Sequence, residues 1–164
     1  MKLRKFKNED TKEIIKWIRN ERELRLWSAD RYNNYPITEL DIINNYNECK
    51  RKSNFYPLTL IDRNNIIGHI IIRNPDEDLS NFRLGFIIIN PEYRKQGYGK
   101  KLIKETIKYA KKNYNAKTFN LGVFIDNENA LNCYLSVGFK IINIEKNAYK
   151  FYNEYWDCAE MLNY

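Results

Sequence analysis

A strand-like run, a glycine loop, a helix and a second strand follow one another between residues 82 and 124, and no other feature constrains the fold as much. Phe82 to Ile89 is apolar and β-rich, and Pro91 breaks it. Arg94-Lys95-Gln96-Gly97-Tyr98-Gly99 then opens a helical stretch, Lys100 to Asn113, with Leu102, Ile103, Ile107 and Ala110 on one face. Thr118 to Phe124 reads as the next strand. Two strands joined through a helix in this way form a parallel pair. The loop between them has a chemistry of its own. Glycines let a backbone turn tightly and approach an anion with no Cβ in the way. The first amides of the helix lack partners within it and point at the same spot, with the positive end of the dipole behind them. The pattern predicts an anion at a helix N-terminus without naming the anion.

The rest of the chain reads as a mixed α/β protein. Leu3 to Phe6 is a short strand, and Asp10 with Glu13 makes a capping-box-like start for a helix running to about Asn20. Glu21 to Pro36 is charged and aromatic without a clear period, a helix remnant plus loop. Thr38 with Asp41 opens a second helix to about Lys50. Phe55 to Ile61, a turn at Asp62 to Asn65, and Ile66 to Ile72 form a hairpin, followed by a loop over Asn74 to Asp78. Asn127 to Val137 is a helix closed by Gly138, and Lys140 to Ile144 and Tyr155 to Met161 are two final strands.

No linker or repeat interrupts the 164 residues, so one domain, 1–164, is expected, long enough to bury about 70 % of its unfolded surface. Lys and Arg exceed Asp and Glu by 28 to 21, a net charge of +7. That balance suits nucleic acid or an anionic cofactor. The lysines are spread out, however, with their densest clusters (Lys2 to Lys7, Lys100 to Lys112) where a strand edge and a solvated helix face are expected. Nucleic acid is therefore not an expected partner. The aliphatic run Ile87-Ile88-Ile89 falls far short of the ~20 residues of a membrane span, and no apolar segment follows the charged start. A cytoplasmic protein without a membrane partner is expected. Cys49, Cys133 and Cys158 have no metal-binding spacing, and His69 is the single histidine, so no metal site and reduced thiols are expected.

Two runs carry a family likeness. Asn90-Pro91-Glu92-Tyr93-Arg94-Lys95-Gln96-Gly97-Tyr98-Gly99-Lys100 resembles the acetyl-CoA signature Gln/Arg-x-x-Gly-x-Gly/Ala of the GCN5-related N-acetyltransferase superfamily. The run with Val123, Asn127, Ala130, Tyr134, Gly138 and Phe139 resembles that family's V-x-x-x-N-x-x-A-x-x-x-Y-x-x-x-G-F pattern. The close match covers roughly residues 82–140, and the order of strands and helices extends it along the chain. The resemblance implies a central twisted mixed sheet of about seven strands flanked by four helices.

It also implies roles. Backbone amides of Lys95, Gln96, Gly97, Tyr98, Gly99 and Lys100 would hold the CoA diphosphate, with Arg94 either reaching it or covering the surface. Ile87, Ile88 and Ile89 would offer backbone to the pantetheine arm, and an amide there would polarise the thioester carbonyl. Asn127 would contact the cofactor while also capping its helix. Tyr134 would be the general acid for the departing thiolate, which a phenol of ordinary pKa near 10 can serve. The expected partners are acetyl-CoA and an amine acceptor, and dimers are common in the family.

One departure stands out. Many family members carry a Glu on the fourth strand as general base, yet residues 79–91 hold no carboxylate, and Arg83 and Gly85 occupy that region. Either the base lies elsewhere, with Glu23, Asp30 and His69 as candidates, or bulk water does the job, or the nucleophile is not an alkyl amine. The acceptor wall falls on Glu21 to Pro36, with Trp27, Tyr32 and Tyr35, and the positive surface disfavours polyamines. The reading is an acetyl-CoA-dependent N-acetyltransferase acting on a primary amine, small molecule or peptide N-terminus, by direct attack in a ternary complex. Cys133 has no local His partner, which argues against an acyl-enzyme. The alternative is a non-catalytic acyl-CoA-binding module with a degenerate acceptor site.

Overall fold

The computed structural model describes residues 1–74 and 80–164. Strand β1 (Lys2–Lys5) leads through a short 3-10 turn into α1 (Thr11–Ile14), then α2 (Glu21–Ser28) and α3 (Glu39–Lys52). Strands β2 (Asn54–Asp62), β3 (Asn65–Asn74) and β4 (Asn81–Ile89) follow. The chain ends with α4 (Tyr98–Tyr114), β5 (Thr118–Phe124), α5 (Glu128–Ser136), β6 (Lys140–Phe151) and β7 (Glu154–Asn163). The seven strands form one sheet in the order β1-β2-β3-β4-β5-β7-β6. Only β4 and β5 run parallel, joined through α4 as the crossover argument requires. The described residues hold five α-helices rather than four. The loop expected over Asn74 to Asp78 lies, past Asn74, outside them.

Both faces of the sheet are covered, which is why its central strands are apolar without a break. In β3 the pleat sends Ile70 and Ile72 to the side of α4 and α5, where Leu102, Ile103, Phe119 and Phe139 pack. Ile71 goes to the other side, with Ile14, Leu24, Ile42 and Tyr46 from the N-terminal helices. His69 belongs to this second core. It is fully buried, its Nε2 is 2.7 Å from the Tyr46 hydroxyl, and it packs against the rings of Phe6 and Tyr46. Burial lowers its pKa to about 3, so it is a neutral packing residue, neither a half-exposed strand residue nor a base.

The N-terminal third departs most from the sequence reading. The capping box starts at Lys7, not Asp10: the Lys7 amide donates to Asp10 Oδ2 at 3.0 Å. Asp10 is buried and also accepts from the Arg4 guanidinium (2.7 and 2.8 Å) and the Thr59 hydroxyl (2.7 Å). Helix α1 does not reach Asn20, because Ile18 is extended; Asn20 instead caps α2 by accepting from the Glu23 amide at 2.9 Å. The supposed helix remnant is thus a complete helix. The final hairpin is longer than its apolar pattern. Its tip returns to α2, where Glu154 meets Arg22 at 2.8 Å and the Tyr152 hydroxyl donates to Glu21 at 2.7 Å.

These buried groups set an acid limit. Unfolded His69 titrates near 6.5 and folded His69 at about 3, so stability is complete above pH 6.5 and falls as pH drops towards 3. Burial pushes the Asp10 carboxyl up, but the Arg4, Lys7 and Thr59 hydrogen bonds outweigh it and hold it below 3.8, adding a second loss as pH falls through that folded value. By pH 4.5 the His69 contribution is about 2–3 kcal/mol. Thermal unfolding midpoints measured from pH 7 to 4.5 should fall steadily, and His69→Gln should flatten that dependence. An unchanged slope in the variant would show that His69 does not govern it.

Candidate active site

The sheet opens where β4 and β5 diverge. Their parallel pairing holds only at Asn81, Phe82 and Arg83 against Thr118, Phe119 and Asn120. Side chains pin that end: Thr118 and Asn120 donate to Asn81 Oδ1 at 3.1 and 3.0 Å. Arg83 donates to Asn120 (2.8 Å) and forks onto Glu160 of β7 (3.0 and 3.1 Å). Beyond Arg83 the strands part. Strand β4 also bulges, since Ile71 faces Gly85 while His69 faces Ile88, one residue out of register. Phe86, at φ 47°, takes up the extra residue. A bulge re-aims the backbone next to it, and here it turns β4 along the opening.

The glycine loop closes one end of the opening. Lys95 (φ 60°) and Gly97 (φ 81°) are both left-handed, and Gly97 directly precedes α4. A Cβ built on Gly97 would meet nothing within 4 Å, so the loop is open on that side. Successive amides in such a turn, at the start of a 17-residue helix, form an anion-binding concavity. The Arg94 Nε donates to the Ile89 carbonyl at 3.1 Å, and Gln96 Nε2 to the Glu92 carbonyl at 2.9 Å. Tyr98 packs edge-on against Tyr93.

A cavity of about 630 Å³ runs from this loop along β4. Ile87, Ile88, Ile89, Arg94, Lys95, Gly97, Gly99, Lys100, Asn127 and Tyr134 all line it, while Gln96 and Tyr98 do not. For those two only the backbone remains available to a ligand. Asn127 caps α5 by accepting from the Ala130 amide (3.4 Å) and still faces the cavity. The residues fit an elongated anionic ligand: an amide cradle at one end and free strand edge along the middle.

A second chamber of about 270 Å³ lies against the first, and Leu26, Trp27, Ile87, Asn127 and Tyr134 line both. Tyr134 is buried, sits on α5 one turn before the Gly138 terminus (φ 97°), and packs on Phe139 at 6.2 Å. Burial raises its pKa above the usual phenol range. The ordinary value near 10 therefore does not hold: the group stays protonated and donates a hydrogen bond more readily than it gives up the proton. Burial likewise raises the Cys133 thiol, which fits a lining residue and not a nucleophile.

The other base candidates separate. Glu23 lines the larger cavity; burial pushes its carboxyl up, but the Arg19 hydrogen bonds and the nearby Arg94 charge bring it below its ordinary value. Asp30 opens onto a different hollow with Glu21, Arg25 and Tyr149. Of the expected aromatics, Trp27 walls both chambers and packs on Phe86 at 5.2 Å. Tyr32 is buried beside it, and Tyr35 is exposed away from both. Among the described residues no three His, Cys, Asp or Glu cluster to hold a metal ion, and no helix is long and apolar enough to cross a membrane.

Comparison with known proteins bears on this geometry. A protein from Schizosaccharomyces pombe, UPF0039 protein C11D3.02c, is 33% identical over 85 residues, 44% of this chain and 55% of that one. The match thus spans about half the length of that relative. Among solved structures, spermidine N-acetyltransferase from Vibrio cholerae in complex with CoA and spermine superposes with a TM-score of 0.82 at 20% identity, covering 99% of this chain and 94% of that one. The smu.2055 protein of Streptococcus mutans UA159 superposes at 0.75 and 18% identity, with 99% and 98% covered. At these identities the structural likeness shows the fold. The family model for the acetyltransferase (GNAT) family matches residues 14–139, taking in the diverging strands, the glycine loop and Tyr134. The chain belongs to the acetyltransferase (GNAT) family.

Proposed function

We propose that this protein transfers an acetyl group from acetyl-CoA to a primary amine by direct attack in a ternary complex. The observation that carries this reading is the meeting of two chambers at Tyr134, one ending in an amide cradle for an anion. Acetyl-CoA fits the larger chamber. Amides of the loop from Lys95 to Lys100 hold its diphosphate, the backbone of Ile87 to Ile89 pairs with its arm, and Asn127 donates its free amide. The β4 bulge turns a backbone N–H towards the carbonyl oxygen that gains charge during attack. Tyr134 donates a hydrogen bond to the departing sulfur.

The amine enters from the smaller chamber. Among the described residues no carboxylate lines that chamber, whereas Arg31, Arg73 and Arg83 do, Arg83 being paired with Glu160. Positive charge disfavours an ammonium ion, so the amine is held in its neutral, nucleophilic form and its proton is lost to solvent. The polyamine ligand of the Vibrio cholerae structure is not carried over, because among the described residues no carboxylate lines the chamber to hold a polycation.

Thermal unfolding with acetyl-CoA, with CoA and without ligand tests the first half of the reading. At about 100 Kd the gain is about 2.7 kcal/mol, several degrees for a domain of this size. No shift at millimolar acetyl-CoA would remove the cofactor site. Free-thiol release over an amine panel tests the second half, and binding without release would leave an acyl-CoA-binding module.

A further inference from the structure

The smaller chamber has a chemical bias that the transfer reaction itself does not require. Its walls are aromatic and aliphatic (Trp27, Phe55, Phe86, Ile71), and among the described residues its charged lining is Arg31, Arg73 and Arg83. These arginines differ in what they already hold. Arg83 is committed to Glu160 and Asn120, which fixes its guanidinium as part of the β4–β5 junction. Arg31 lies just beyond α2, exposed, with its guanidinium 6.0 Å from the centre of the Phe86 ring. Its charge reaches the Glu48 carboxyl, which Lys52 already holds at 2.5 Å. An arginine over an aromatic face, beside an apolar chamber and with the carboxylate its charge reaches engaged by a lysine, is a ready fork for an oxyanion.

Resting on the acetyltransferase reading, we infer that the acceptor is an apolar or aromatic amine that also carries a carboxylate, and that Arg31 is its specificity-determining contact. The amine lies towards Tyr134, where the two chambers meet, the apolar body lies between Trp27 and Phe86, and the carboxylate faces Arg31. Charge complementarity favours this class, since Arg31 attracts the carboxylate.

The test compares phenylalanine with phenylalaninamide and tryptophan with tryptamine, with spermidine as a polycation, in the wild type and in Arg31→Gln. Thiol release should favour the carboxylate member of each pair. In Arg31→Gln the KM for the carboxylate members should rise roughly 10- to 100-fold, the loss expected for a charge-assisted hydrogen bond, while the KM for acetyl-CoA and the kinetics of the amides stay put. Equal kcat/KM within each pair, better use of spermidine, or an Arg31→Gln variant that discriminates as the wild type does would overturn the inference with the transfer reading intact.

A binding arm, independent of turnover, uses N-acetylphenylalanine and its amide titrated calorimetrically into the CoA-saturated protein. Selective binding of the acid, weakened in Arg31→Gln, without thiol release from any amine would keep the anion site and sink the transferase. Equal or absent binding of the pair would sink the anion site.

Discussion

The Tyr134→Phe enzyme is expected to lose about 10²-fold or more in kcat while its affinity for acetyl-CoA barely changes. The hydroxyl stands at the junction of the two chambers, where burial keeps it protonated. Removing it takes away a donor needed only as charge develops on the leaving sulfur, so the transition state loses a contact that the bound cosubstrate never had. Phenylalanine preserves the ring and its packing on Phe139, and the unfolding midpoint should stay within a degree or two. Steady-state thiol release with calorimetric acetyl-CoA binding reads both quantities. Equal losses in affinity and turnover would move Tyr134 from the chemistry to holding the cosubstrate.

The Gly97→Val variant should lose the stabilisation by acetyl-CoA altogether. A valine side chain has room, because nothing lies within 4 Å of a Cβ at this position; the objection comes from the backbone at φ 81°. The left-handed conformation costs an ordinary residue about 1–2 kcal/mol, and a β-branched one more. The loop is exposed, and the cheapest relief is to rotate it out of that conformation, which turns the amides away from their common focus. The free protein should therefore melt only a few degrees lower and keep its circular dichroism, while the acetyl-CoA shift disappears. A full shift in the variant would mean that the cradle is not the diphosphate site.

What the sequence revealed depended on whether the signal was local. The β4–α4–β5 crossover, the Thr38–Asp41 cap and the Gly138 terminus are each written within a few residues, and all three are present. Helix α2 was obscured because its buried positions include Arg25 and Ser28 along with Leu24, which blurs the apolar period. Arg25 is buried because it donates to Glu21 and to loop carbonyls at Tyr32 and Asn33. In β6 the first eight residues are exposed and two register shifts interrupt the pairing, so no alternation marks its length.

At the site, Arg94, Lys95, Gly97, Gly99, Lys100, Asn127 and Tyr134 line one cavity, while Gln96 and Tyr98 do not. Of the second chamber the sequence showed only the Trp27 wall, because the other pieces come from distant parts of the chain. Arg83 and Glu160 are 77 residues apart and Trp27 approaches Phe86 across the sheet, while the bulge sits on a phenylalanine where a glycine would have announced it. His69 looked usable as a base because its titration suits the task, and only the structure shows that it never meets solvent.

The parting of β4 and β5 makes this sheet unlike most others. A sheet normally ends at its rim, where free backbone groups risk recruiting other polypeptides. Here a rim lies in the interior, between two strands that touch for only three residues, with Leu26 and Trp27 on one flank and Asn127 and Tyr134 on the other. Another protein's strand is too bulky to enter such a slot, whereas a slender thread can. An interior rim of this kind leaves β4 backbone open along the cavity. If acetyl-CoA fills the gap, as proposed, its binding adds to the stability of the folded chain by mass action.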